Sequence, residues 1–186
     1  MTYKVRFVEP DVHYNRIKDQ IDTTIQAILA RGDLVYRSQL KEFEKSLAAF
    51  VGTKYAVGLN SGFHALHLSL IAAHIGPGDE VITPAHTFLA AVSAIVHVGA
   101  KPVLVDVAKD YNVDATAVER AVTPKTKAIV PTHLNGRVCN MDALMDLAER
   151  HNLIVIEDAA QALGAMFKNV KAGAFGLTGC FSFYPF

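Results

Sequence analysis

A few short stretches of the chain carry residue types that can do chemistry together. Asn60-Ser61-Gly62-Phe63-His64 joins an apolar run to a helix-length segment. Gly62 lets a ligand come close to the backbone there, and the first N–H groups of a helix favour an anion. The same residues also make an ordinary serine cap with a turn glycine. Asp158 closes the apolar run Leu153-Ile154-Val155-Ile156-Glu157. A carboxylate at the exit of a buried strand is costly without a partner. A protonated heterocyclic nitrogen is one such partner, and a ring kept charged is an electron sink. A helix cap or a salt bridge is another. Gln161 stands three residues after Asp158, so one helical turn would show both to a single ligand. Phe88, four residues after Pro84, can stack on a flat ring or fill the core.

Other chemistries lack their signatures. The sequence has no GxxxxGK[ST], no GxGxxG and no GxSxG, which sets aside the Walker, dinucleotide and serine-hydrolase routes. His64 and His67 have a zinc-compatible spacing, but no HExxH or paired cysteine supports it, and packing is the simpler role. Cys139 and Cys180 have no metal-type spacing, and nothing marks either as a nucleophile.

These residues need elements to hold them. Ile17, Ile21, Ile25, Ile28 and Leu29 fall at helical intervals and predict a helix over His13–Ala30. A second helix is expected over Ser38–Val51, burying Leu40, Phe43, Leu47, Phe50 and Val51. The rhythm then changes to short apolar runs alternating with helix-length segments. Strands are expected at Tyr55–Leu59, Glu80–Thr83, Pro102–Asp106, Ala128–Pro131, Leu153–Glu157 and Cys180–Tyr184. Helices are expected at Gly62–Ile75, Thr87–Val98, Asp114–Ala121 and Met141–Arg150. Runs such as IVIE are nearly all apolar rather than alternating, which marks strands covered on both faces. The βαβ rhythm predicts an α/β domain with a doubly wound, mostly parallel sheet. Ligands in that fold sit beyond the carboxyl ends of the strands. Those ends hold Asn60–Phe63, Pro84–Phe88, Thr132–Gly136, Asp158–Gln161 and the segment around Ser182.

Composition narrows the partners. The chain has 186 residues, 51% of them apolar, with 18 Lys plus Arg against 18 Asp plus Glu. That is a globular composition, not a disordered one. Zero formal net charge argues against nucleic acid as the main partner. The N-terminus lacks the apolar core of a signal peptide, and the longest mostly apolar run, Phe88–Ala100, is too short to span a bilayer. With only two cysteines, a reduced, cytoplasmic setting is expected.

The order of the motifs resembles one family. YAVGLNSGFHALHLSL, IGPGDEVITPAHTF, GAKPVLVDV, TPKTKAIVPTHLNGRVCNMDAL, IEDAAQALGA and GCFSFYPF follow one another as in the DegT/DnrJ/EryC1/StrS family of pyridoxal-phosphate-dependent sugar aminotransferases. The resemblance implies the large domain of fold type I, a three-layer doubly wound α/β sheet, over residues 53–186. Residues 1–52 form a helical arm in this reading, and the small C-terminal domain is absent from the chain. It implies pyridoxal 5′-phosphate as cofactor. Gly62 and Phe63 give backbone N–H groups to its phosphate, and Ser182 adds a hydroxyl. Phe88 stacks on the ring, Asp158 pairs with the ring nitrogen as the catalytic carboxylate, and Gln161 meets the ring hydroxyl. A keto-sugar nucleotide, an amino donor such as glutamate, and a homodimer are implied as partners. A sugar dehydratase and a non-catalytic regulatory member are the alternatives within the family.

Three departures stand out. The family commonly has Thr where Phe63 stands, so one hydroxyl contact is lost. It often has Gly-Pro where Arg37-Ser38 stand, near the substrate. Its Schiff-base lysine is expected immediately after Phe186, one position beyond this sequence.

Overall fold

The computed structural model describes residues 8–32 and 38–184. Arg37 and Phe186, singled out above, lie outside them. The described residues form two compact units, one reaching to Phe43 and the other running from Glu44 to Tyr184. The first contains helix α1, Pro10–Arg31, which starts on a proline and stops at Gly32 in the left-handed conformation. Helix α2, Ser38–Val51, runs across the division between the units. Its expected buried face is corrected. Ala48 and Val51 are buried, whereas Phe43 and Phe50 are exposed.

The second unit is built on five parallel strands. They are β1 Glu80–Pro84, β2 Lys101–Val105, β3 Thr126–Ile129, β4 Ile154–Asp158 and β7 Thr178–Cys180, in the order β2-β1-β3-β4-β7. A separate hairpin pairs β5, Met166–Phe167, with β6, Val170–Lys171. Between the strands lie α3 Gly62–Ala72, α4 Leu89–His97, α5 Ala115–Ala121 and α6 Met141–His151.

The near-continuous apolar strands are explained by two cores, one on each face of the sheet. Leu66 and Leu70 of α3 and Ala91, Ala94 and Ile95 of α4 pack with Val81, Ala128, Val130 and Ile156. Val118 of α5 and Met141, Leu144 and Leu147 of α6 pack with Ile82, Ile129 and Val155. Neighbouring residues such as Val81 and Ile82 therefore enter opposite cores, as the pleat requires. This is the expected three-layer, doubly wound α/β architecture.

Two expected strands are corrected. Tyr55–Leu59 has no sheet partner among the described residues. Tyr55 and Val57 are 73% and 72% exposed, and the Gly58 N–H donates to the Glu44 carboxylate at 2.7 Å instead of to a ladder. A short apolar run becomes a strand only beside another strand. Cys180–Tyr184 is likewise not a strand, because the ladder runs out at Cys180. Its partner β4 ends with the pair Asp158–Cys180, and the Ala159 N–H closes onto the Cys180 carbonyl at 2.8 Å.

The strand order has one reversal. From β1 the chain crosses through α4 to β2 on one side, then returns through α5 to β3 on the other. The loops after β1 and β3 thus part in opposite directions and leave a crevice at their carboxyl ends. Crevices of this kind hold the ligand in open α/β sheets.

Candidate active site

Three of the five parallel strands bring their last residues to that crevice. The loop after β1 carries Thr87 and Phe88, the loop after β3 carries Thr132, and β4 ends on Asp158. Thr132 and Asp158 form a parallel bridge. The Asp158 N–H donates to the Pro131 carbonyl at 2.9 Å, and the His133 N–H donates to the Asp158 carbonyl at 3.0 Å.

Asp158 is 4% exposed. Its Oδ1 accepts from the Ala160 N–H at 3.2 Å and its Oδ2 from the Thr132 hydroxyl at 3.4 Å. Burial pushes its carboxyl above the ordinary value, and these two donors only partly offset that. A carboxylate so placed gains from a cation in front of it. The expectation that Asp158 and Gln161 share a helical turn is corrected, since a turn without helix follows β4. Gln161 is pinned instead to a 3-10 turn, Leu134–Gly136, where its Oε1 accepts from the Asn135 N–H at 2.7 Å. That leaves the Gln161 amide nitrogen as the group it can present.

The candidate anion cradle lies at the start of α3. The Ser61 Oγ accepts from the His64 N–H, and the Ser61 carbonyl accepts from the Ala65 N–H. The N–H groups of Gly62 and Phe63 precede the first helical hydrogen bond and have no acceptor within α3. Space over them is kept by the missing side chain of Gly62. A Cβ there would lie 3.0 Å from the Ser182 Cβ and 3.5 Å from its Oγ. Ser182 is brought to this point by β7, and its Oγ accepts from the Tyr184 N–H at 3.3 Å. The serine hydrogen can therefore be turned to a ligand.

The side chain of Phe63 faces away from that role. Its ring packs among three imidazoles, with centroids 5.3 Å from His64, 5.8 Å from His67 and 5.4 Å from His97. His64 and His67 thus serve a ring cluster, and no group of described residues forms a metal-binding cluster. Phe88 is 75% exposed just before α4, so it is not a core aromatic in this chain. Both thiols are buried, and burial pushes Cys139 and Cys180 up to about 12, which disfavours the nucleophilic thiolate.

Two residues of consequence had no individual signal in the sequence. His133 and Glu157 are fully buried, with Nε2 and Oε2 2.9 Å apart. The His133 Nδ1 accepts from the Cys139 N–H at 3.2 Å, so Nε2 carries the hydrogen and donates to Glu157. Glu157 also accepts from the N–H groups of Gly173, Phe175 and Gly176 at 2.8, 2.7 and 2.8 Å. Burial alone would raise the Glu157 carboxyl, but His133 and these backbone donors together hold it below the ordinary value. Glu157 thereby ties the loop before β7, and so Ser182, to the end of β4.

Comparison with known proteins gives the family. The model of the DegT/DnrJ/EryC1/StrS aminotransferase family matches residues 15–186. The chain belongs to that family. Within it, the chain is 49% identical over 144 residues to GDP-perosamine synthase of Caulobacter vibrioides, covering 77% of the chain and 39% of that protein. It is 43% identical over 185 residues to the dTDP-3-amino-3,4,6-trideoxy-alpha-D-glucose transaminase of Streptomyces venezuelae, covering 99% of the chain and 49% of that protein. Among solved structures, S. venezuelae DesV in complex with a ketimine intermediate superposes with a TM-score of 0.91 at 42% identity. That superposition covers 93% of the chain and 47% of DesV. A family member from Brucella abortus gives a TM-score of 0.94 at 35% identity, covering 97% and 51%. The chain therefore spans about half the length of its relatives or less.

Proposed function

We propose that the protein is a pyridoxal 5′-phosphate-dependent aminotransferase that moves an amino group, drawn from glutamate, to a keto group of a nucleotide-linked sugar. Asp158 carries this reading. It is a buried carboxylate at the switch-point crevice, raised by desolvation, with two hydrogen-bond donors and no ion pair among the described residues. The residues present fit the cofactor. A side chain at Gly62 would close the cradle against Ser182, and Gly62 has none. When bound, the cofactor supplies an electron sink for the amino-group carbon.

Each residue then has a task. The N–H groups of Gly62 and Phe63 and the Ser182 hydroxyl hold the phosphate dianion at the positive end of α3. Phe88, whose ring is exposed, would cover one face of the pyridine. Gln161, with its carbonyl oxygen spent on Asn135, donates its amide hydrogen to the ring hydroxyl. Asp158 holds a proton on the ring nitrogen. The lysine expected after Phe186 would hold the cofactor covalently and move the substrate proton. A homodimer completes the proposal, supported by the exposure of Leu89 at the start of α4 beside the crevice.

Incubation with pyridoxal 5′-phosphate, glutamate and a panel of keto-sugar nucleotides tests this. Equal amounts of 2-oxoglutarate and an amino sugar are expected. Tight cofactor binding without amino transfer to any panel member would favour a regulatory protein, and loss of water from the sugar would favour the dehydratase.

A further inference from the structure

Two threonine hydroxyls lead to Asp158. The Thr132 Oγ1 lies 3.4 Å from the Asp158 Oδ2 and 2.9 Å from the Thr87 Oγ1. A hydroxyl has one hydrogen. With Asp158 ionised, Thr132 spends its own on the carboxylate and Thr87 donates to Thr132. The chain of hydrogen bonds therefore has one direction, Thr87 to Thr132 to Asp158. Thr132 is 5% exposed, and the bridge between Thr132 and Asp158 holds the two backbones in register. Thr87 immediately precedes Phe88 and lies on the loop after β1.

We propose that Thr87 and Thr132 are positioning residues that hold Asp158 ionised toward the cofactor ring and tie it to the loop bearing Phe88. The group that meets the ring nitrogen and the group that covers the ring face are then set by one hydrogen-bonded chain across β1, β3 and β4. This rests on the reading that Asp158 faces a pyridine nitrogen. A carboxylate buried with few donors is stabilised by each one it keeps, and a donor that itself accepts a hydrogen bond is strengthened. The other titratable groups near Asp158 among the described residues are His133, engaged with Glu157, and Cys180, across the β4–β7 ladder. Neither has a hydrogen bond to the Asp158 carboxylate. Thr132 and the Ala160 N–H are its two donors.

The test uses the protein loaded with pyridoxamine 5′-phosphate labelled at the ring nitrogen. The nitrogen chemical shift reads ring protonation directly, from about pH 6 to about pH 9. The original protein should hold the ring protonated through the lower part of that range and release the proton within it. Thr132→Val should lower the midpoint of deprotonation by about one pH unit, the worth of one hydrogen bond to a charged group. Thr132→Ser should restore it, and Thr87→Val should move it the same way by less. Asp158→Asn should leave the ring unprotonated throughout. A Thr132→Val protein that titrates like the original while Asp158→Asn loses ring protonation would overturn the positioning role alone. An Asp158→Asn protein that titrates like the original would overturn the reading beneath it. If Thr132→Val does not fold, Thr87→Val decides the question by the same shift.

Discussion

At the scale of single residues, the site divides between groups with local signals and groups without them. Asp158 ends β4, Ser182 follows β7 and Gly62 opens α3, where the alternation of apolar runs with helix-length segments already points. Thr87 and Thr132 lie 45 residues apart, and His133 and Glu157 lie 24 apart, so only the parallel sheet makes them neighbours. Phe63 shows a different limit. Its ring is absorbed by histidines from α3 and α4, leaving only its backbone for a phosphate. The cradle then depends heavily on Ser182. Ser182→Ala should weaken pyridoxamine 5′-phosphate binding about tenfold, one charge-assisted hydrogen bond, and leave the affinity for pyridoxamine unchanged. Titration of the two ligands by fluorescence checks this, and an equal loss for both would remove Ser182 from the phosphate.

At the scale of elements, the βα rhythm was legible because both periods are written locally. Leu144, Leu147 and Ala148 line the buried face of α6, and the Asn140 side chain caps its first turn by accepting from the Ala143 N–H. Tyr55–Leu59 misled for a physical reason: a short apolar run does not specify the neighbouring strand that must complete its ladder. Close backbone approach was also invisible. Gly179 on β7 would place a Cβ 2.2 Å from the Gly173 Cα and 2.4 Å from its carbonyl oxygen. Both are main-chain atoms and cannot swing aside. Gly179→Ala should therefore destabilise the fold by about 3 kcal/mol, as overpacking does. It should also displace Ser182, which follows on the same segment. Thermal melting together with phosphate-ligand affinity measures both effects, and an unchanged melting temperature would contradict the close packing.

At the scale of the whole molecule, the sheet acts as a frame with an electrostatic dependence on pH. Glu157 is held below its ordinary value in the folded protein. A depressed carboxyl contributes stability that is present above its unfolded value, roughly pH 4 to 5, and is lost as pH falls through the folded value. Asp158 is raised, so its burial opposes folding when ionised, and that cost fades as pH falls. The two act in opposite directions, and Glu157→Gln separates them. That variant should be less stable than the original at neutral pH, because three backbone donors and His133 lose their ionised acceptor. Its melting temperature should also fall less between about pH 5 and about pH 3. Parallel melting curves for the two proteins across that window would contradict the role of Glu157 as the ionised anchor.

The central claim is that the crevice between the carboxyl ends of β1, β3 and β4 holds pyridoxal 5′-phosphate by its phosphate on α3 and its ring nitrogen on Asp158. A crystal structure of the protein with pyridoxal 5′-phosphate or pyridoxamine 5′-phosphate bound tests it most directly. The phosphate should lie on the Gly62 and Phe63 N–H groups and the Ser182 hydroxyl, the ring beside Phe88, and its nitrogen within hydrogen-bond distance of an Asp158 oxygen. A phosphate bound elsewhere, or a ring nitrogen turned away from Asp158, would contradict it.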